Sequence, residues 1–377
     1  MTRLIALRLP PGPRFLTALD AVWGEGDAVL PLDPDAPDER VHDLLLRLRP
    51  EVLIDEHGQV EVANPAPAPP GAAAVVLTSG TSGKPKAAVL SRRAVDAAVA
   101  AFIARLGASA SDRWVSALPV HHVAGLMVVA RARAAGAEVA LRERFDPADL
   151  DEGATLTALV PTMLQRLLDA GTDLSGFRAI LVGGARAPRP LIDRARALGF
   201  PVVRTYGMTE TCGGVVHDGE PLPGVEVRIG PGDAIELRGP MLFDGYLTPD
   251  GLDSPIQADG WFSTRDVGRI IEDGRLEVLG RADDMIVTGG EKVAPGEVEA
   301  ALLDHHAVAD ARVFGVDDDE WGEVVAAEIV PHGAPPLLEE IRAFVAERLG
   351  RHAAPRRLYS VERVERGALD KRRDARS

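Results

Sequence analysis

The sequence predicts an α/β protein: a large N-terminal body of parallel α/β layers with a small β-barrel-like subdomain, followed by a small α+β C-terminal domain. Three observations carry this. From residue 73 to about 207, short apolar strand-like runs alternate with amphipathic helices, the mark of a parallel layered sheet. After residue 214 the texture changes to short alternating strands between Gly-rich turns. Beyond Gly280 it changes again, to a charged stretch mixing helices and strands. The expected division is therefore 1–280, with the β subdomain at about 215–280, and 281–377.

Taken in order, DAVLPLDPDAP (27–37) reads as a short strand running into a Pro/Asp loop, and RVHDLLLRLRP (40–50) as an amphipathic helix stopped by Pro50. EVLIDE (51–56) is a strand, and VANPAPAPPG (62–71) a stiff Pro/Ala linker without a core face. AAVVL (73–77) is a buried strand, followed by a helix over 92–107 with Ser91 as its N-cap. RWVSALP (113–119) is a strand, 124–136 a helix, and 157–171 a strand then a helix. AILVGG, LIDRARALG and PVVRTYG complete the alternation as strand, helix and strand. VEVRIG, AIELRG and RLEVLG supply the later strands. PGEVEAALLDH and PLLEEIRAFVAERLG are the helices of the C-terminal part, with ADARVFGV and VVAAEIV as its strands.

Composition narrows the function. The 377 residues carry 42 Lys+Arg against 57 Asp+Glu, a formal charge of −15, which argues against a nucleic-acid binder. One cysteine, Cys212, excludes a disulfide framework and a multi-cysteine zinc site. No apolar run reaches the roughly 18 residues of a membrane span, and the N-terminus lacks a signal-peptide core. A cytoplasmic protein without nucleic-acid or membrane partners is expected. Only four of the cations are lysines: Lys84, Lys86, Lys292 and Lys371.

Two of those four fall in Thr78-Ser79-Gly80-Thr81-Ser82-Gly83-Lys84-Pro85-Lys86. Glycines there can aim backbone N–H groups into a concavity, and hydroxyls and ammonium groups complete a polyphosphate site. The Walker A spacing is not met, because two residues separate Gly80 from Gly83 and Pro85 follows Lys84. Tyr206-Gly207-Met208-Thr209-Glu210 ends a predicted strand, where α/β sites commonly lie. A ring can stack on adenine, a hydroxyl can hold a phosphate, and a carboxylate can ligate Mg²⁺. His121 and His122 are adjacent, but no third zinc ligand stands at a suitable spacing.

These motifs, in this order, resemble the acyl-adenylate-forming superfamily of acyl-CoA synthetases, peptide-synthetase adenylation domains and luciferases, and among them most resemble o-succinylbenzoyl-CoA synthetases. The resemblance covers nearly the whole chain. It implies a C-terminal domain that moves as a lid, ATP or acyl-AMP and CoA as substrates, Mg²⁺ as cofactor, and a small carboxylic acid as the acyl donor. It assigns the nucleotide to residues 78–84, to Gly183-Gly184-Ala185, to Tyr206-Gly207-Met208-Thr209, to Asp266 (ribose) and to Arg281 (ribose or phosphate). Glu210 becomes the Mg²⁺ ligand, His122 a gate beside the acyl and pantetheine channels, and Asp283 the hinge. Thr288-Gly289-Gly290-Glu291-Lys292 becomes the loop that approaches the thiol. The acyl pocket falls at Val160–Gln165, Gly183–Ala185 and Gly213–Val215, whose small residues would admit a broad aryl or alicyclic acid.

One position departs from the pattern. The family's adenylating lysine sits in a Gly-Lys-Leu-Asp-Arg-like string, and here the string is Gly367-Ala368-Leu369-Asp370-Lys371-Arg372. A centred cation in phosphoryl chemistry is worth several kcal/mol, and Ala368 supplies none. Ala368 is a substitution introduced by design, or Lys371 serves in its place, or the chain is naturally poor at adenylation and receives an acyl-adenylate, with a separate adenylating ligase as a partner. The last is the reading adopted. A non-catalytic acyl-AMP-binding protein is the alternative of a different class.

Overall fold

The run LIALR near the N-terminus is apolar on both faces, and it becomes strand Leu4–Arg8, buried near the middle of an eight-stranded sheet. A computed structural model of the chain describes residues 1–78, 85–148 and 153–364. The described residues form two compact units. The first takes its members from 1–184, 195–227 and 237–262; the second takes 185–194, 228–236 and those from 263 onward.

The eight-stranded sheet of the first unit runs in the order Gly251–Asp253, Gly245–Thr248, Lys86–Ser91, Ala72–Thr78, Ala28–Pro31, Leu4–Arg8, Val52–Asp55 and Gly58–Glu61. Its centre is parallel and its margins antiparallel. The second sheet has the order Glu220–Pro221, Gly213–His217, Val202–Met208, Ala179–Val182, Leu156–Leu159, Arg113–Ser116 and Glu138–Leu141. Here five neighbouring strands are parallel. AILV and LTAL are buried at every position, as continuous apolar runs should be when both faces of a parallel sheet are covered. Phe102 and Trp114, both fully buried with ring centroids 5.7 Å apart, anchor the core between this sheet and helices Arg92–Leu106 and Val123–Ala135. At the sheet's lower edge, Asp112 is 4% exposed and takes a bidentate ion pair from Arg178 and a hydrogen bond from the Thr155 hydroxyl. Those bonds hold its carboxyl down to about 2.

The later strands divide. Glu226–Ile229, Ala234–Arg238, Phe262–Ile270 and Leu276–Arg281 make a four-stranded sheet, the half-barrel of the fold. Gly245–Thr248 and Gly251–Asp253 instead extend the eight-stranded sheet, so the stretch 215–280 is not one subdomain. The division into units also falls away from the expected break at Arg281. Strand Phe262–Ile270 pairs antiparallel with Leu276–Arg281, and Arg269 on that hairpin reaches Glu297 at 3.1 Å on helix Pro295–Leu303. Residues 263–280 therefore go with the C-terminal part.

The second unit is completed by a five-stranded sheet of Glu291–Val293, Ile286–Thr288, Gly322–Pro331, Val308–Asp318 and Arg357–Ser360. Its core packs Val298, Leu302, Ile341 and Val345 of helices Pro295–Leu303 and Leu338–Leu349 against Val313, Ala327 and Ile329. Ser91 stands at the N-cap position of helix Arg92–Leu106 as expected, but its hydroxyl makes no capping bond; it donates to Asp244 at 2.9 Å. Among the described residues, no helix is long and apolar enough to cross a membrane.

Candidate active site

Strand Val202–Met208 ends in a 3-10 turn, Thr209–Thr211, and returns antiparallel as Gly213–His217. Backbone crowding dictates the sequence here. A Cβ on Gly207 would collide with the Gly213 carbonyl, and one on Gly183 with the Thr205 hydroxyl. Thr211, fully buried, closes the turn: its hydroxyl accepts from the Met208 N–H at 2.9 Å and lies 3.0 and 2.8 Å from the Met208 and Gly213 carbonyls. Cys212 follows in the left-handed region at φ 53°, and burial pushes its thiol up to about 12, so it is no nucleophile. The role of Thr211 depends on where the strand turns, which the local string of residues does not show.

Glu210 leaves this turn with both its backbone and its side chain held. Its carbonyl accepts from the Phe243 N–H at 2.9 Å, and its Oε1 accepts from the Tyr246 hydroxyl at 2.6 Å. The Lys86 ammonium lies 4.5 Å from the centre of the Tyr246 ring. Lys86 pairs in register with Thr78. Thr78, Tyr206, Gly207, Met208, Thr209, Glu210, Gly183 and Gly184 all belong to the first unit. Ser79, Gly80, Thr81, Ser82, Gly83 and Lys84 lie outside the described residues. Gly184 has φ 79°, and a Cβ there would lie 3.4 Å from Val160 Cγ1. That joins two of the segments expected to line the acyl pocket. Ala185 goes with the second unit.

A residue absent from the sequence reading stands beside the third segment. Arg131, on helix Val123–Ala135, is 5% exposed, and its Nε and Nη2 have no hydrogen-bond partner. The Arg131 guanidinium lies 4.4 Å from the centre of the Phe102 ring, and Nη2 is 3.5 Å from where a Gly213 Cβ would be. Burial lowers it to about 10, which leaves it cationic at neutral pH. His217, on the same strand as Gly213, is also buried with both ring nitrogens unpartnered. Burial first, then the charges of Arg131 and Arg105, press it down to about 3, so it is neutral. A buried cation without a counter-charge is costly.

His122 occupies the N-cap position of helix Val123–Ala135, and its ring lies 4.4 Å from that of His121. Burial lowers His121, opposed by Asp33 and Asp35. The helix can start so close to Pro119 because Gly125 has no Cβ, which would strike the Leu118 and Pro119 carbonyls.

In the second unit, Asp266 and Arg281 are register partners across one hairpin, with Nε to Oδ1 at 4.0 Å. Asp283 lies in the 3-10 turn Ala282–Asp284, 3.6 Å from Arg265. Gly289 and Gly290 both have positive φ, 58° and 85°. The Gly289 N–H bonds to the Trp321 carbonyl at 2.9 Å, and a Cβ on Gly289 would press on the Trp321 ring at 2.7 Å. Gly290 has open space where its Cβ would be. Ala368 and Lys371 lie outside the described residues. Among the described residues, one cluster, His305, His306 and Glu340, has ligand atoms close enough for a metal. His305 Nδ1, however, accepts the Ala307 N–H, which puts the ring proton on Nε2 facing Glu340 at 3.4 Å. That arrangement suits a hydrogen bond better than a cation.

Residues 56–247 match the family described as AMP-binding enzyme, and 297–371 match its C-terminal domain. The chain belongs to the AMP-binding enzyme family. A probable 2-succinylbenzoate–CoA ligase of Mycobacterium tuberculosis is 41% identical over 386 residues, covering 97% of this chain and 95% of that protein. The 2-succinylbenzoate–CoA ligase of Bacillus licheniformis is 36% identical over 80% of this chain and 68% of its own length. Among solved structures, the o-succinylbenzoate CoA synthetase of Bacillus subtilis with its acyl-adenylate intermediate superposes with a TM-score of 0.82. It is 28% identical, over 98% of this chain and 86% of that one. As an AMP-binding enzyme of this kind, the chain is an acid–thiol ligase of the acyl-CoA synthetase family, making acyl-CoA from a carboxylic acid, ATP and CoA.

Proposed function

We propose that the protein forms the CoA thioester of 2-succinylbenzoate or a similar aryl dicarboxylic acid, and that it is specialised for the second half-reaction, attack of the CoA thiol on the acyl-adenylate. Arg131 carries the first part. An acid with a second carboxylate offers the anion that a buried, unpartnered guanidinium needs, and its two unpartnered N–H groups suit a carboxylate. A monocarboxylic acid would leave that charge buried and uncompensated.

Glu210 is the residue that would hold Mg²⁺. A hard cation takes oxygen ligands, and with Oε1 held by Tyr246, the second carboxylate oxygen remains to be offered. The bound ion would neutralise charge on the phosphates. Thr209 and the loop 78–84 would position the α-phosphate, and Asp266 the ribose. Arg281 would add positive charge, Asp283 would serve as hinge, and His122 would gate the channel. Gly289 and Gly290 would let the loop backbone lie beside the thiol.

Ala368 carries the second part. The string Gly367-Ala368-Leu369-Asp370 has a methyl group where the family pattern has an ammonium group, while the nucleotide and thiol-side motifs are intact. The acyl-adenylate would then come from a separate adenylating ligase.

Two assays separate the parts. Pyrophosphate release from ATP and 2-succinylbenzoate should be at least about 100-fold slower than CoA consumption with the synthetic acyl-adenylate. Comparable rates would mean that Lys371 or another group serves adenylation. Ala368→Lys should raise pyrophosphate release. A protein that binds the acyl-adenylate but consumes no CoA would be a sensor rather than a ligase.

A further inference from the structure

Glu210 is gripped twice by one short segment thirty-odd residues downstream. The Phe243 N–H binds its carbonyl at 2.9 Å, and the Tyr246 hydroxyl binds its Oε1 at 2.6 Å. We propose that Tyr246 is a positioning residue for the metal-binding carboxylate: its hydroxyl fixes Glu210 through Oε1 and so leaves the other oxygen as the one offered to a divalent cation. The proposal rests on the reading of Glu210 as the Mg²⁺ ligand.

The segment is itself built onto the sheet. Gly245 and Tyr246 pair in register with Val89 and Ala88. The Asp244 N–H donates to the Val89 carbonyl at 2.9 Å, and the Ser91 hydroxyl to the Asp244 carboxylate at 2.9 Å. Phe243, fully buried, packs edge-on against the Tyr246 ring at 5.0 Å and against Phe262 at 5.5 Å. A Cβ on Gly245 would come within 2.6 Å of the Asp253 carbonyl oxygen, so glycine is required for this strand to lie where it does. The Tyr246 backbone is thus placed by strand pairing, and its ring packs against Phe243.

Three physical consequences point the same way. A glutamate has three rotatable bonds, and fixing them has an entropic cost when a ligand must do it; here the phenol has done it beforehand. A phenol stays protonated at neutral pH and can only donate to a carboxylate, so Oε1 is occupied and the choice of oxygen is made. The Lys86 ammonium, 4.5 Å from the ring centre, draws electron density from the phenol and strengthens its donation.

The test is a Mn²⁺ titration followed by electron paramagnetic resonance, with AMP and the full-length protein, on wild type, Tyr246→Phe and Glu210→Gln. Tyr246→Phe should weaken Mn²⁺ binding about tenfold, the scale of one charge-assisted hydrogen bond. Glu210→Gln should weaken it more. If Glu210→Gln binds Mn²⁺ as wild type does, the reading of Glu210 fails. If Glu210→Gln loses binding while Tyr246→Phe keeps wild-type affinity, the Tyr246 proposal is overturned and Glu210 stands. Phe243→Leu loosens the same segment but keeps the hydroxyl, and serves as the control for a general loss of packing. Equal loss in Tyr246→Phe and Phe243→Leu overturns the proposal; a loss confined to Tyr246→Phe upholds it.

Discussion

The turn over Tyr206–Gly214 in the first unit and the loop over Thr288–Lys292 in the second are both glycine-rich, for different reasons. In the turn, Gly207 is there because no Cβ fits: the Gly213 backbone fills the space. In the loop, Gly290 has open space around it and a φ of 85°, so conformation rather than room demands glycine. One region is an assembled cradle, with Thr211 locked by bonds to Met208 and Gly213. The other is a tight hairpin turn, with Thr288 paired to Glu291 and the Gly289 N–H bonded to the Trp321 carbonyl. Under the proposed function, the first kind of construction suits the holding of a nucleotide and a cation in fixed relation, and the second suits a segment that approaches a narrow thiol arm.

Substitutions can break that contrast in order of expected effect. Gly207→Ala should be the most severe. With no flexible atom to give way, it should lower the melting temperature and reduce acyl-CoA formation at least about 100-fold; near-normal activity would mean that the cradle yields more than its packing suggests. Arg131→Met should lower kcat/KM for the dicarboxylic acyl-adenylate by about 100-fold yet leave stability unchanged or raised, because removing an unpaired buried charge relieves a cost. A parallel fall in stability and activity would make Arg131 a structural residue.

The pH dependence of the body is the next test. Asp112 sits at about 2, below its ordinary 3.8, so its contribution is full above about pH 5 and is lost as pH falls through 2. Wild type should exceed Asp112→Asn by about 2 kcal/mol in denaturant unfolding at pH 7, with the gap closing between pH 4 and pH 2. A constant gap would mean that the carboxylate charge is not what stabilises this corner. Gly290→Ala should do least. It should cost about 1 kcal/mol of backbone strain and slow CoA attack on the acyl-adenylate about fivefold, with acyl-adenylate affinity unchanged. An equal loss in affinity would place Gly290 in the cradle's class rather than the loop's.

Much of this was legible in the sequence, for local reasons. Runs such as AILV and LTAL identify buried parallel strands by composition alone, and Tyr206–Glu210 declares itself by its place at a strand end. What the sequence hid was long-range. Arg131 and Arg133 stand two apart in LMVVARARAAG, roughly opposite one another around a helix. Arg133 pairs with Asp20 at 2.7 Å on the surface while Arg131 is buried. Nothing in the string says which is which, since both arginines are flanked by alanines. Tyr246 reads as one more strand residue until its strand is seen to join the eight-stranded sheet beside Lys86. Strand texture does not reveal which sheet a strand will join: Gly245–Thr248 and Gly251–Asp253 extend the eight-stranded sheet although they follow strands of the four-stranded one.

The fully buried position of Cys212, in a chain with no other cysteine, has a practical consequence. Its thiol, pushed up to about 12, holds almost no thiolate at neutral pH, so maleimide and iodoacetamide reagents should treat the native protein as cysteine-free. One cysteine introduced on the exposed Glu291 would then carry a single dye with no background. Fluorescence from that label could follow the glycine loop through each half-reaction in otherwise unaltered protein.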